Sequence, residues 1–534
     1  MTIWLLVGAV VIFACVLFNR ISLKLGVPTL LAFIVLGMFF GSDGVVKISF
    51  DNFFVAEQVC STALIFIMFY GGFGTKWSEA KPVAVKAVLM SSIGTIITAG
   101  LVGAFCRLVL KIDTLESFLI GAVISSTDAA SVFSILRSKR LNLKYNTASL
   151  LEVESGSNDP FSYMLTVIIL AIMSGEASGE TLGFMVFAQI VFGGLFGLGI
   201  ALAARAFMKK FRFLADGFDA IFMVSVALVS YALPTYFGGN GYLSAYITGI
   251  ILGNSRIGNK QALVNFFDGV TGLMQMMLFF LLGLLSFPSQ LPAIAGTALC
   301  IAIFLTFVAR PVATFLILMP FSCKLKQTLV VAWSGMRGAA SIVFAIMTVI
   351  NPAVTDNDIF HIVFFIVLFS ILFQGSLIPF VAKRLNMTDP EGNVMKTFTD
   401  YTDEVPVQFI QFTLRGNHPW SNRMIKEITL PPDSILVLLL RGEQKIVPNG
   451  KTALQEGDTL ILSGRATSRI EGINLYEKDV TAEDEWANKS IRDIPSGENL
   501  IIMIRRGKAV IIPKGNTVIK TGDNLVINEP FTGE

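Results

Sequence analysis

Four ionisable side chains fall in oily surroundings that should carry none. Glu154 and Asp159 lie in ESGSNDP, Asp128 lies in SSTDAAS, and Arg337 lies in SGMRGAAS. A charge at mid-bilayer costs about 2.5–3.5 kcal/mol on insertion scales, so such groups are kept for a purpose. A helix turns about 100° per residue, which puts Ser155 and Asp159 on one face and Glu154 and Asn158 on a neighbouring face. The first face offers a hydroxyl and a carboxylate, oxygen ligands that suit a hard cation. The second offers a carboxylate to an arginine. Pro160 lacks an N–H, so the Gly156 carbonyl loses its usual helical partner and becomes available to a cation or a water. The alternative is a structural ion pair that locks helices together. Four charges on three helices, each beside small or helix-breaking residues, weigh against that as the whole account.

Membrane helices are the elements that must position these groups. The 534 residues are 54% hydrophobic and 15% charged, which excludes an ordinary soluble protein of this size. Apolar segments recur from Thr2 to about Phe380, and beyond about Met387 the chain turns charged and glycine-punctuated. Thirteen spans are predicted, at about 2–18, 27–41, 57–74, 86–108, 116–136, 147–173, 181–207, 219–236, 241–254, 266–287, 292–320, 328–350 and 358–381. The second and ninth are short, which implies tilting, thinning or burial in the bundle. The first run starts at residue 2 with no basic flank and no A-x-A site, so it reads as a span and not as a cleaved leader.

The net charge of +3 says little, but its placement says more. Every second loop is basic: Arg20 and Lys24; Lys76, Lys81 and Lys86; Arg137, Lys139, Arg140 and Lys144; Lys209, Lys210 and Arg212; Arg256 and Lys260; Lys324 and Lys326; Lys383 and Arg384. The alternate loops, such as KIDTLE, SGEASGE and NPAVTDNDIF, are poor in Lys and Arg. The positive-inside rule then puts the N-terminus outside and the tail in the cytoplasm. The five cysteines have no metal-ligand or disulfide spacing, and no nucleophile motif suggests an enzyme.

The fifth and twelfth spans run in opposite directions and each is interrupted by small polar residues. Ser126 and Thr127 could unwind the fifth; Ser334, Gly335 and Gly338 could unwind the twelfth. Two interrupted helices of opposite direction suggest inverted repeats around a midplane site. Arg310 precedes Pro311 in the eleventh span, close enough to the basic side to snorkel outward.

Taken in order, STDAASVFSILR, LEVESGSNDP and GMRGAAS resemble the NhaP-type cation–proton antiporters over about residues 1–385. The resemblance implies thirteen helices, two crossing broken helices, a core and a dimerisation domain, and alternating access in a homodimer. It implies that Asp159 is the exchanging carboxylate and Ser155 a cation ligand, with Thr127 and Asp128 completing the site. Glu154 would pair with Arg337. Asn158, where electrogenic relatives carry a second Asp, implies electroneutral exchange. TDA replaces the TDP of some sodium-transporting members, and YGGFGT lacks their acid; both lean toward the potassium-handling, cell-volume subgroup. No cofactor is implied; potassium or sodium and protons are the cargo. A sodium-selective antiporter is the alternative. A ligand-gated potassium channel or uptake protein is further off, because no TVGYG-like filter is present.

After a linker at 386–402 the tail repeats itself, with the first module at 403–470 and the second at 471–534. Trp420, Asn422 and Gly457-Asp458 of the first match Trp486, Asn488 and Gly522-Asp523 of the second. Each copy reads as a short helix followed by strands with Arg-Gly, Pro-x-Gly and Gly-Asp turns, giving a cytoplasmic α+β domain. The copies resemble TrkA-C (RCK-C) regulatory domains, without a nucleotide-binding Rossmann unit before either. That resemblance implies pairing across an interface and a small regulator, cyclic dinucleotides included, with Arg441, Arg505 and Arg506 as candidate phosphate contacts. A tail that only dimerises is the alternative. No nucleic-acid partner is expected. His361 and His418 read as incidental. The setting implied is a bacterial-type plasma membrane.

Overall fold

The computed structural model describes residues 2–25, 29–139, 141–175, 179–211, 217–255, 257, 260–351, 355–389, 407–414, 418–431, 434–442, 444–465, 474–481, 483–494, 500–506, 509–511 and 513–529. Most of the expected linker, Arg140, Arg212 and Arg256 of the basic loops, and parts of SGEASGE and NPAVTDNDIF lie outside the described residues. The chain divides into two compact units, Met1–Tyr401 and Thr402–Glu534.

Among the described residues the first unit is built of helices and their connections, as a chain must be where no water can satisfy its backbone. Its helices are α1 (Thr2–Leu25), α2 (Thr29–Phe40), α3 (Phe53–Gly74), α4 (Ala84–Leu108), α5 (Thr114–Val123) and α6 (Ala129–Ser138). They continue as α7 (Thr147–Met173), α8 (Gly179–Lys210), α9 (Phe218–Tyr236), α10 (Gly241–Gly253) and α11 (Lys260–Leu285). The last are α12 (Pro288–Phe321), α13 (Leu325–Trp333), α14 (Ala339–Ile350) and α15 (Ile359–Arg384). Among the described residues, seven helices are long and apolar enough to cross a bilayer. Apolar side chains such as Phe184, Leu195, Ile221, Phe307 and Leu316 remain exposed on their outer faces, where lipid takes the place of water.

The stretch read as a fifth span is two half-helices, α5 and α6, and the stretch read as a twelfth is α13 and α14. Pro160 sits inside an unbroken α7. Helices α4, α12 and α15 stay continuous through π-turns at Met90–Gly94, Leu305–Ala309 and Ser370–Gly375. A π-turn inserts a residue and rotates everything after it, which re-aims the side chains that follow.

Short α10 is buried, and it meets α3 backbone to backbone. A Cβ on Gly72 would come within 2.3 Å of the Tyr246 carbonyl oxygen, and one on Gly249 within 2.2 Å of the Phe69 oxygen. Small residues at such crossings substitute close packing for the hydrophobic force that lipid does not supply. Helix α7 lies at the centre, packed against α4, α5, α6, α10 and α14.

The tail unit holds two four-stranded antiparallel sheets of the same design. The first is ordered β1 (Val407–Thr413), β4 (Thr459–Arg465), β2 (Ser434–Arg441), β3 (Gln444–Ile446). The second is ordered β5 (Asn474–Asp479), β8 (Asn524–Glu529), β6 (Leu500–Arg506), β7 (Ala509–Ile511). Both carry a register shift at the matching place, Leu436/Leu438 and Ile501/Met503. Gly457 and Gly522 take φ of 86° and 88°, a conformation that only glycine enters without strain, ahead of Asp458 and Asp523. The short helix expected at the head of each copy is a single three-residue 3-10 turn, Ile425–Glu427 and Ile491–Asp493. Each turn sits against its neighbouring loop, with Met424 bridged to Ala453 and Ser490 to Val518, which leaves no length for a helix.

Candidate functional site

The two helix breaks touch. Asp128 N–H donates to the Met336 carbonyl at 2.8 Å. A Cβ on Gly338 would fall 2.3 Å from the Asp128 side chain, so only glycine permits this approach. Breaking a helix frees carbonyls at one end and amides at the other, and both need partners at this depth. Arg337 Nη1 takes the Ser125 and Ser126 carbonyls after α5, each at 2.7 Å. The Asp128 carboxylate accepts from the Ser131 amide at 3.2 Å and from the Ser131 hydroxyl, capping α6. A cation therefore meets the negative end of one half-helix and an anion the positive end of the other.

Helix α7 docks its polar stretch onto the first break. The Ser155 hydroxyl donates to the Thr127 carbonyl at 2.6 Å. Asn158 accepts from the Thr127 amide at 3.3 Å and donates to the Thr127 hydroxyl. The Ser126 hydroxyl donates to Asp159 Oδ1. Asp159, Ser155, Asn158 and Thr127 are thus brought together as the sequence suggested. The Asp128 carboxylate is committed to its cap beside them. Gly156 is pressed against the Tyr246 ring, where a Cβ would lie 2.5 Å from Cε2. The Pro160 carbonyl accepts from Asn240 Nδ2 at 2.8 Å, which fixes α7 to the start of α10.

Two expectations are corrected. Glu154 does not pair with Arg337; it pairs with Arg310, whose Nη2 lies 2.6 Å from Glu154 Oε1. Arg310 does not snorkel either, being only 3% exposed. It follows directly on the π-turn Leu305–Ala309, which aims it inward, and its stem lies against Gly335. Arg337 is 1% exposed and close enough to both groups to feel their charge, but its hydrogen bonds go to carbonyls. Its backbone amide is held by the Ser370 hydroxyl at 3.0 Å, on the π-turn of α15.

Sequence reasoning noticed Ser126 only as a helix breaker and missed it as the partner of Asp159. The repeated hydroxyls of Ser-Ser-Thr were the available signal. His361 contacts Asp358 at 2.6 Å through Nδ1 and accepts from the Phe287 amide at 3.1 Å. Among the described residues no cluster of three or more His, Cys, Asp or Glu could hold a metal ion.

In the tail, Arg441 grips Asp458 with Nε and Nη2, both at 2.8 Å, and Arg506 grips Asp523 at 2.7 Å. The second Nη2 bonds of the arginines reach the Ala453 and Val518 carbonyls. Two of the three candidate phosphate contacts are therefore staples within their own modules; Arg505 is exposed. The guanidinium beside each carboxylate holds Asp458 and Asp523 below the usual carboxylate range.

Comparison with known proteins matches residues 9–384 to the family described as sodium/hydrogen exchanger, transmembrane. It matches residues 409–469 and 475–527 to the TrkA-C domain. The chain is 32% identical over 465 residues to the K(+)/H(+) antiporter NhaP of Alkalimonas amylolytica, covering 86% of this chain and 80% of that protein. It is 31% identical over 481 residues to the K(+)/H(+) antiporter NhaP2 of Shewanella baltica (strain OS223), covering 89% and 83%. The solved structure of the sodium proton antiporter MjNhaP1 from Methanocaldococcus jannaschii superposes with a TM-score of 0.62 at 24% identity, over 70% of this chain and 100% of that one.

Proposed function

This chain belongs to the sodium/hydrogen exchanger transmembrane family, and on that premise we propose that it is a monovalent cation/proton antiporter whose cargo compete for Asp159. A single observation carries the reading: a carboxylate in the middle of α7 faces a helix break and is held there by a neutral hydroxyl, Ser126, with no ion pair among the described residues. Such a carboxylate can hold a proton or a dehydrated cation, and each evicts the other. Ser155, the Thr127 carbonyl and the Asn158 amide supply further oxygens. Burial makes the bare anion costly, so the loaded forms cross and the empty one does not. One cation then exchanges for one proton and no net charge moves.

Potassium is the favoured cargo, since two relatives above 30% identity carry potassium in their names. Sodium is the second reading, favoured by the family description. The polypeptide crosses a bacterial-type plasma membrane thirteen times, N-terminus outside, in inverted repeats that pair as a homodimer. The tail, with a linker at 386–402 and modules at 403–470 and 471–534, is cytoplasmic and sets the exchange rate in response to a small phosphate-bearing regulator such as a cyclic dinucleotide, for which Arg505 remains a contact. The test is internal pH in proteoliposomes on adding potassium, sodium, lithium or rubidium, with and without valinomycin. Ion-dependent proton movement is expected with or without a membrane potential. A signal that appears only with a potential removes the electroneutral reading.

A further inference from the structure

Glu152 is another carboxylate on α7, one that exchange at Asp159 does not use. Seven residues separate the two, about 10 Å along the axis, and that interval returns a side chain to the same face. Glu152 lies toward the end of α7 that follows Lys139 and Lys144.

Thr75, which ends α3, donates its hydroxyl to Glu152 Oε1 at 3.3 Å and to the Gly71 carbonyl at 2.8 Å. It is well fixed, because its own carbonyl accepts from Asn254 Nδ2 at 2.8 Å at the end of α10. Tyr246 of α10 lies over Gly156 and is 3% exposed. Its phenol oxygen lies in the field of both Glu152 and Asp159 and faces Thr75 and Ser157, with no well-formed hydrogen bond among the described residues. A buried hydroxyl left in that condition costs about 1–3 kcal/mol. An occupant that coordinates to it recovers that cost. The donors around it are a carboxylate, two hydroxyls and a phenol, all hard oxygens and none of them soft or nitrogenous. That is a ligand set for an alkali cation.

We propose that Glu152, Thr75 and Tyr246 form a staging site for the transported monovalent cation, on the basic-loop side of Asp159. There the ion exchanges part of its water for protein oxygens before it displaces the proton on Asp159. This rests on the antiporter reading above. The backbone-to-backbone packing of α3 on α10 holds the hydroxyl and the phenol at fixed positions relative to each other, so the site is formed before the ion arrives.

The test uses the full-length protein in sealed right-side-out and inverted vesicles, with initial exchange rates measured against potassium chloride on each side. For Glu152→Gln the apparent KM on the basic-loop side should rise about tenfold, more than kcat falls and more than KM shifts on the opposite side. Glu152→Asp should recover most of the change. Tyr246→Phe removes one oxygen without altering the ring and should raise the same KM about threefold, which keeps the proposal testable if Glu152→Gln does not fold. Parental KM values in both variants, or a fall in kcat alone, would overturn the staging site. Asp159→Asn run in parallel separates the two readings. Exchange surviving in it sinks the antiporter mechanism, whereas an inert Asp159→Asn beside an unshifted Glu152→Gln sinks only the staging site.

Discussion

Arg310 and Glu154 form a buried ion pair at 2.6 Å, joining α12 to α7, the helix that carries the proposed exchange site. The pair lies one helical position beyond the face that holds Ser155 and Asp159. It therefore fixes the rotation of α7 without occupying the place proposed for the cargo.

Removing one member of such a pair leaves a charge stranded in a dry interior. Arg310→Ala is expected to destabilise by about 3–5 kcal/mol, measured as thermal unfolding in detergent. Removing Glu154 as well, as Glu154→Gln, should restore part of the loss. A double-mutant cycle should give strong coupling between Glu154 and Arg310 and weaker coupling between Glu154 and Arg337. The reverse order would mean that Arg337 is the true partner.

Arg337 answers to a different group. It neutralises the carbonyls freed where α5 ends. Arg337→Lys keeps the charge but cannot present guanidinium geometry, so it should lose exchange while retaining more folded protein than Arg337→Ala. Equal folded yields for the two would argue that the charge contributes nothing at that helix end.

Asp159→Asn should abolish exchange and leave the fold intact. An amide oxygen can still accept from the Ser126 hydroxyl, but it cannot take up and release a proton near neutral pH. Folded yield and thermal stability serve as the control, and internal pH in proteoliposomes is the readout.

Gly156→Ala should fail by collision. Its methyl would overlap the Tyr246 ring at 2.5 Å, and overpacking of this kind costs about 1–3 kcal/mol. Because Tyr246 is anchored on a helix in backbone contact with α3, neither side can give way easily. Unchanged stability in Gly156→Ala would show that α10 yields to the added methyl.

The tail should be sensitive to acid in one window. Asp458 and Asp523 titrate below the ordinary carboxylate value of about 3.9 because each is gripped by an arginine. Their stabilisation is complete above that value and is lost as pH falls through the depressed one. Protection of the amides in 459–465 and 524–529 against hydrogen exchange, corrected for the intrinsic rate at each pH, should hold steady from neutral pH to about 5 and fall below about 4. In Arg441→Ala the first of these segments should already exchange faster at neutral pH.

What could be read in advance was local. The helical first unit, both breaks and the matching sheets of the tail all follow from intervals of a few residues. The partner of Glu154 was not readable in that way. Arg310 and Arg337 are both arginines in apolar stretches, one within α12 and one in the break between α13 and α14, and the π-turn before Arg310, which no side-chain pattern announces, is what aims Arg310 inward. Glu152 went unnoticed because it lies near the edge of its span, where a charge normally needs no explanation. Strand β5 was overlooked since NLYEKD is too polar to look like a sheet edge. The helices expected in the tail are single turns because the residue before each is bridged to a neighbouring loop, Met424 to Ala453 and Ser490 to Val518.

The glycine seam between α3 and α10 limits what kind of movement the molecule can make. Two helices notched into each other at Gly72 and Gly249 cannot creep past one another by a fraction of a turn, since larger side chains would ride up on the opposing main chain. They must travel as a single carriage, with Tyr246 on one and Thr75 at the end of the other. Any displacement that exposes the ion to the far side has to shear along some other boundary.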